Sequence, residues 1–401
     1  MLISCSRPQQ QETTTNNDED LLNKAKELSE KFIITDGHID LPYRLRDIYL
    51  KGDSLPDLSV RNQEGDIDYV RAKEGGLDAP FMSIYIPHEY QKTGGAKELA
   101  DTLINSVITI TEQYPDMFAL ANTPYEVEKN FKEGKISLPM GMENGAPIEN
   151  NLANVAYFRD RGISYITLTH STDNQICDSS YDTTHTWNGL SEFGKLVVAE
   201  MNKQGIMIDI SHISDSTFYQ VMSLTKAPVI ASHSSCRKFT PELERNMSDD
   251  MIKRLSENGG VIQINFGTFF LDSEIQAIND KNEKELDQLL EEKGLTKDDP
   301  IAENLIAEFN KEHPRQFADV TTVANHIDHV VKIAGIEYVG LGSDYDGVGD
   351  SLPTKLKDVS MYPNLIHELL KRGYSEEDIE KICYKNVWRV WNKVVSLADA
   401  G

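Results

Sequence analysis

Cysteine is scarce. Four residues (Cys5, Cys177, Cys236 and Cys383) in a chain of 401 do not make a disulfide framework. No Cys-x-x-Cys pair occurs, which excludes a thiolate zinc knuckle. Positive charge is short as well. Lys and Arg number 40 against 65 Asp and Glu, a formal charge of −25. That balance argues against a nucleic-acid partner, whose backbone is held by clustered Lys and Arg. It argues equally against a basic face on anionic lipid. Long apolar runs are also missing. No stretch reaches about 18 apolar residues, so no spanning membrane segment is expected. What remains is 39% hydrophobic and 26% charged, enough for a globular core. The length allows two or three small domains, or one large α/β barrel with insertions.

The chain opens Met1-Leu2-Ile3-Ser4-Cys5-Ser6 and continues polar to Asp20. Such a segment buries too little apolar surface to offset its ordering entropy, so 1–20 is expected to be a disordered tether. Leu-Ile-Ser-Cys resembles the end of a bacterial lipoprotein signal, although the basic start and longer apolar stretch are missing. The expectation is an exported lipoprotein facing the periplasm or cell surface, with a lipid anchor at Cys5. The alternative is a cytoplasmic protein.

From residue 21 to 401 a single domain is expected. Eight short apolar runs, many with β-branched residues, fall at 33–41, 79–86, 136–142, 163–168, 206–210, 228–231, 261–265 and 338–341. They read as buried parallel strands. Amphipathic stretches at 150–161, 191–204, 214–225, 248–258 and 321–334 read as helices between them. Ser214 and Ser248 are suited to start helices, and Gly205 and Gly335 to stop them. This alternation predicts an α/β fold, a (β/α)8 TIM-like barrel. A Glu- and Lys-rich helical insertion is expected near 271–320. Two further helices are expected over 362–397.

The polar residues that end the runs carry the chemistry. Run one ends in His38-Ile39-Asp40 and run three in Glu143. Runs four, five and six end in His170, His212 and His233, and run eight in Asp344. In a barrel all these ends face one mouth. His38 and Asp40, two apart in a strand, point to the same side and suit one metal ion. His212 and His233 come from consecutive strands and suit a second ion. Glu143 has two oxygens and can bridge both. The donor set suits zinc, and manganese and iron(II) accept similar sets. A lone His at a strand end is usually structural, but six coincidences at one mouth are not expected by chance. His326 and His329, three apart in a helical pattern, are weaker metal candidates. His88, His185, His313 and His367 read as surface or loop residues.

These residues lie in recognisable phrases. Asp36-Gly37-His38-Ile39-Asp40-Leu41-Pro42, Gly141-Met142-Glu143-Asn144-Gly145 and Asp209-Ile210-Ser211-His212 occur in order. Ala231-Ser232-His233, Arg245-Asn246 and Gly342-Ser343-Asp344-Tyr345-Asp346-Gly347 follow. Over about 30–395 the chain resembles the renal, or membrane, dipeptidase family (peptidase M19). The resemblance implies a metal-dependent amidohydrolase barrel with two zinc ions per chain. It assigns His38 and Asp40 to one zinc, His212 and His233 to the other, and Glu143 between them. It implies hydrolysis of a free dipeptide by a hydroxide held between the zinc ions, with tolerance of D-residues at the C-terminal position. On that reading Asp344 shuttles the proton and also binds substrate. His170 is both catalytic and substrate-binding, donating to the oxyanion. Arg245 grips the free carboxylate. A related amidohydrolase acting on another small carboxylate-bearing amide, lactam or N-acyl amino acid is the alternative. Members are often homodimers, so a homodimer is allowed.

Two departures from the family's pattern stand out. Thr172 replaces a Cys of mammalian-type members, so Cys177 is expected to be a free thiol. Gly267 stands where many relatives have Tyr, which affects the shape of the substrate pocket. Tyr85 is a candidate pocket residue, and Asp346 a candidate to orient a ligand from behind.

Overall fold

The structure is a computed structural model and describes residues 10–398. Ten strands occur among them: β1 (Ile34–Ile39), β2 (Leu77–Tyr85), β3 (Phe118–Leu120), β4 (Ile136–Leu138), β5 (Met140–Glu143), β6 (Ile163–Thr167), β7 (Met207–Asp209), β8 (Ile230–Ser234), β9 (Val261–Ile264) and β10 (Val339–Leu341). Eight close a parallel barrel in the order β1-β10-β9-β8-β7-β6-β5-β2. The strands are almost wholly buried, which is why they read as apolar runs rather than as alternating patterns. The expected (β/α)8 barrel is the observed fold.

One run is not one strand. The segment 136–142 divides at Pro139 into β4 and β5. Proline has no N–H to donate, so the ladder is interrupted there. β4 pairs with β3 in a separate ribbon, and only β5 enters the barrel.

Helix ends follow the sequence signals. Ser191, Ser214 and Ser248 each accept from the backbone N–H three residues on, at Gly194, Thr217 and Met251. Gly205 ends its helix in the left-handed region at φ 69°. Between β9 and β10 the chain makes the expected helical insertion, with Ser273–Glu292 and Glu303–Glu312 as its longer helices. It carries a small apolar cluster of its own, Leu286, Leu290 and Ala302.

Two boundaries differ from expectation. Gln10–Lys31 is a helix that begins inside the stretch expected to be a tether. Its second half is anchored: Ala25 and Leu28 are buried, and Lys24 and Lys31 pair with Glu376 at 2.8 and 3.1 Å. An anchored helix extends by one hydrogen bond per residue without a new nucleus. Residues 1–9, Cys5 among them, lie outside the described residues. The C-terminal segment, read as two helices, is broken further. Tyr362–Lys371 and Glu376–Glu380 lead through a π turn, Lys381–Lys385, into Asn386–Ala398. Trp388 and Trp391 on that last helix pack into the bottom of the barrel. Trp391 meets Phe81 at 5.0 Å between ring centroids. The barrel floor is thereby closed, and its open end is the rim of strand C-termini.

Candidate metal centre

The rim gathers the predicted residues. His38 stands on β1, and Asp40 directly after it. Glu143 ends β5 and His233 lies on β8. His170, His212 and Asp344 follow β6, β7 and β10. The Glu143 carboxylate is the hub. Its Oε1 lies 3.0 Å from His212 Nε2, 3.4 Å from His233 Nε2 and 3.5 Å from His170 Nε2. Its Oε2 lies 3.4 Å from His38 Nε2. Asp40 Oδ2 approaches the same His38 nitrogen at 3.4 Å. Three overlapping donor groups result: His38 with Glu143 and His233, Glu143 with His170 and His212, and His38 with Asp40 and Asp344.

The backbone is strained to achieve this. His212 and Asp344 sit at φ 70° and 64°, a region that non-glycine residues seldom adopt. Each is pinned by its neighbours. Ser180 N–H donates to the His212 carbonyl at 2.8 Å, and Asp344 N–H donates to the His38 carbonyl at 3.1 Å. Gly347 packs so tightly that a Cβ there would collide with the Asp40 and Asp344 carboxylates.

Hydrogen bonds behind the centre orient two imidazoles. Tyr165 Oη donates to the Gly37 carbonyl at 3.0 Å and lies 2.8 Å from His38 Nδ1. The phenol proton is thus engaged, so His38 Nδ1–H is the donor to Tyr165. In the neutral ring, His38 Nε2 is then a bare lone pair facing Glu143. On the other side Ser232 Oγ donates to Asp209 at 2.6 Å and accepts from His233 Nδ1, 2.7 Å away. His233 Nε2 is therefore bare too. It lies only 2.8 Å from His212 Nε2.

Electrostatics fit a cation at this donor set. Burial opposes a proton on His38, but Tyr165, Glu143 and Asp40 together raise its pKa well above the usual imidazole range, so the anionic centre draws positive charge to that ring. Burial, first of all, holds His212 and His233 well below the usual imidazole range, so they are neutral. Burial opposes ionisation of Glu143, but His38, His170, His212 and His233 together hold its carboxyl well below the usual range. Burial pushes Asp344 up to about 7, with Asp40 and Glu143 assisting and His38 and the Asn265 amide opposing. Lone pairs and carboxylates converging in a buried space repel one another unless a cation sits among them. The buried His38 Nε2 and Asp40 Oδ1 have no hydrogen-bond partner. These His, Asp and Glu residues fit divalent metal ions.

The membrane dipeptidase family (peptidase family M19) matches residues 22–400. The chain belongs to that family. It is 34% identical to Dipeptidase verJ of Clonostachys rogersoniana over 94% of this chain and 88% of that one. To mouse Dipeptidase 3 it is 31% identical over 94% of this chain and 68% of that one. Among solved structures it is similar to a probable dipeptidase, PvdM, of Pseudomonas aeruginosa. The TM-score is 0.79 at 26% identity, over 95% of this chain and all of that one.

A cavity of about 730 Å³ opens over the centre of this family member. Tyr85, His170, Tyr181, Phe269, Phe270 and Val348 are among its walls. Tyr85, foreseen as a pocket residue, stacks edge-on against His170 at 4.9 Å. Asp346 also lines the cavity and is held from behind by Arg44 Nε at 2.8 Å. Arg245 is placed deeper than expected. It is buried behind His233, donating to the His233 carbonyl at 2.7 Å and to Ser234 Oγ at 2.5 Å. Its Nε has no partner.

His326 and His329 are not brought to the centre. His326 Nδ1 accepts from the Cys236 N–H at 3.0 Å, so Nε2–H donates to the Leu271 carbonyl at 2.9 Å. Both nitrogens are consumed. His329 pairs with Asp249 at 2.7 Å. Cys177, Cys236 and Cys383 are free and buried, as the Thr172 departure implied for Cys177.

Sequence reasoning missed Tyr165, Asp209, Ser232 and Asn265. Asn265 Nδ2 donates to Asp344 Oδ2 at 2.8 Å. It ends run seven, so the rule that singled out the other strand-end residues would have found it. The other three are polar residues inside apolar runs or beside a motif histidine, and that position was their signal.

Proposed function

We propose that this protein is a zinc-dependent dipeptidase acting on free dipeptides, including those with a C-terminal D-residue. The observation that carries the reading is the Glu143 carboxylate within 3.5 Å of four imidazole Nε2 atoms. This stands at the rim of a barrel from the membrane dipeptidase family. His38 and Asp40 would hold one zinc, His212 and His233 the other, and Glu143 both. When bound, the two ions supply Lewis acidity toward the amide carbonyl and lower the pKa of a water to about 7.

The chain's own residues do the rest. Asp344, raised to about 7, takes a proton from the attacking water and returns it to the departing amine nitrogen. The Asn265 amide fixes one of its oxygens and leaves the other free for that transfer. Burial lowers the His170 pKa, so a neutral ring faces the cavity and can donate to the developing oxyanion. Arg245 places a fixed positive charge behind β8 for the substrate's free carboxylate. Tyr85 and Phe269 give the cavity aromatic walls.

The test is metal analysis paired with a substrate panel. Purified protein is assayed with L,L-, L,D- and D,D-dipeptides and one tripeptide, with and without chelator. About two zinc per chain and chelator-sensitive cleavage of dipeptides alone are expected. Two metals without dipeptide cleavage would move the assignment to another small carboxylate-bearing amide. Failure to bind supplied zinc would end the reading.

A further inference from the structure

The cavity is longer than a dipeptide. One wall is formed by Asp40, Tyr43, Arg44, Asp47, Ile48 and Lys51. Their spacing of three and four is a single stripe along the helix Leu41–Leu50 and its two flanking residues. Eleven residues from Asp40 to Lys51 at 1.5 Å each carry the stripe about 16 Å outward from the metal centre. Two residues of extended backbone span about 7 Å. The outer part of the groove therefore has room that the dipeptide backbone does not fill.

That outer part carries Tyr43 and Ile48 between charged residues, with Lys51 at its outer end. Tyr43 meets Tyr85 edge-on at 4.9 Å, and Tyr85 meets His170 at 4.9 Å, so an aromatic line runs from groove to centre. Ile48 continues it along the stripe, and Val348 is also in the cavity wall. The charges on the stripe are mostly matched by the protein itself. Arg44 pairs with Asp346 at 2.8 Å, and Asp47 pairs with Arg46 at 3.4 Å.

The barrel order gives the groove a direction. Arg245 follows β8, three strands round the rim from β1, whose following helix bears the stripe. A substrate carboxylate drawn toward Arg245 leaves its amino-terminal residue on the β1 side. We propose that this groove is a subsite for a large apolar or aromatic side chain on the amino-terminal residue of the substrate. Ile48 and Val348 are its specificity-determining walls. The inference rests on the dipeptidase reading for the identity of the substrate.

The experiment compares Gly-, Leu- and Phe-dipeptides that share one C-terminal residue, using the zinc-loaded protein. Wild type is expected to favour Phe over Gly by at least about tenfold in kcat/KM. Ile48→Trp and Val348→Trp, which fill the groove from two elements, should each cut that ratio by about tenfold or more, mainly through KM. A merely structural effect would lower both substrates together and leave the ratio unmoved. Calorimetric binding of the same peptides to wild type is read in parallel. No cleavage of any dipeptide would overturn the dipeptidase reading, while a Phe-over-Gly binding preference would still support the groove. A flat ratio in wild type, or one unchanged in both variants, would overturn the subsite.

Discussion

Tyr165 Oη lies 2.8 Å from His38 Nδ1, in the interior of the barrel. The ring has space because residue 141 is glycine: a Cβ there would fall inside it. Phe81 lies 5.4 Å from the same ring on one side and 5.0 Å from Trp391 on the other. An aromatic column thus links the C-terminal helix to the imidazole. Ser232 and Asp209 serve His233 in the same way. Outer hydrogen bonds of this kind fix which ring nitrogen faces a metal.

Tyr165→Phe removes the acceptor of His38 Nδ1–H, and Ser232→Ala that of His233. Each is expected to lower metal affinity by about 10- to 100-fold while the fold persists. Zinc retention against graded chelator, with circular dichroism as the control, reads this directly. Retention equal to wild type in both variants would remove these residues from any orienting role.

Asp344→Asn tests the proton shuttle. Asparagine keeps the shape and can still meet Asn265, but carries no transferable carboxyl proton. Turnover should fall by at least about 100-fold, as for loss of a general acid–base group. Zinc content should remain that of wild type. Near-normal turnover would take Asp344 out of the mechanism, and loss of zinc would make it a ligand instead.

Arg245 is the site residue whose depth the motif did not convey. Two of its guanidinium nitrogens hold Ser234 and the His233 carbonyl, so it also braces β8. Arg245→Ala is therefore expected to lower stability as well as activity. The carboxylate role predicts a selective effect. Dipeptides should lose more kcat/KM than their C-terminal amides, by about tenfold or more. Equal losses for both would leave only the bracing role.

The reach of the sequence follows from the same geometry. A parallel barrel puts every strand C-terminus on one rim, so His38, Glu143, His170, His212, His233 and Asp344 were legible as a set without knowing any contact. Tyr165, Ser232 and Asp209 were not. Their meaning depends on which strands are neighbours across the barrel, and an apolar run does not reveal that. Run three failed locally, because Pro139 inside an apolar stretch was read through rather than as an interruption. The helix from Gln10 was hidden because its anchors, Glu376 and the helix Tyr362–Lys371, lie at the far end of the chain. His326 looked like half of a ligand pair because spacing alone does not show that both its nitrogens are taken.

His326 makes a prediction about stability rather than catalysis. Burial lowers its pKa to about 4 in the folded protein, against 6.5 for the free side chain. The fold needs the neutral ring, because Nδ1 must accept from the Cys236 N–H. Above pH 6.5 both folded and unfolded chains hold it neutral, and its contribution is fully present. As pH falls the unfolded chain takes up a proton that the folded chain refuses, so stability drops until about pH 4. A gap of about 2.5 pKa units corresponds to roughly 3 kcal/mol. Unfolding free energy measured by urea titration from pH 7 to 4 should therefore fall. In His326→Gln, less stable at neutral pH, the slope should be shallower by about one proton, or 1.36 kcal/mol per pH unit. Parallel slopes in the two proteins would mean that His326 takes up its proton in the folded state as readily as in the unfolded chain, and that the Cys236 bond does not hold it neutral.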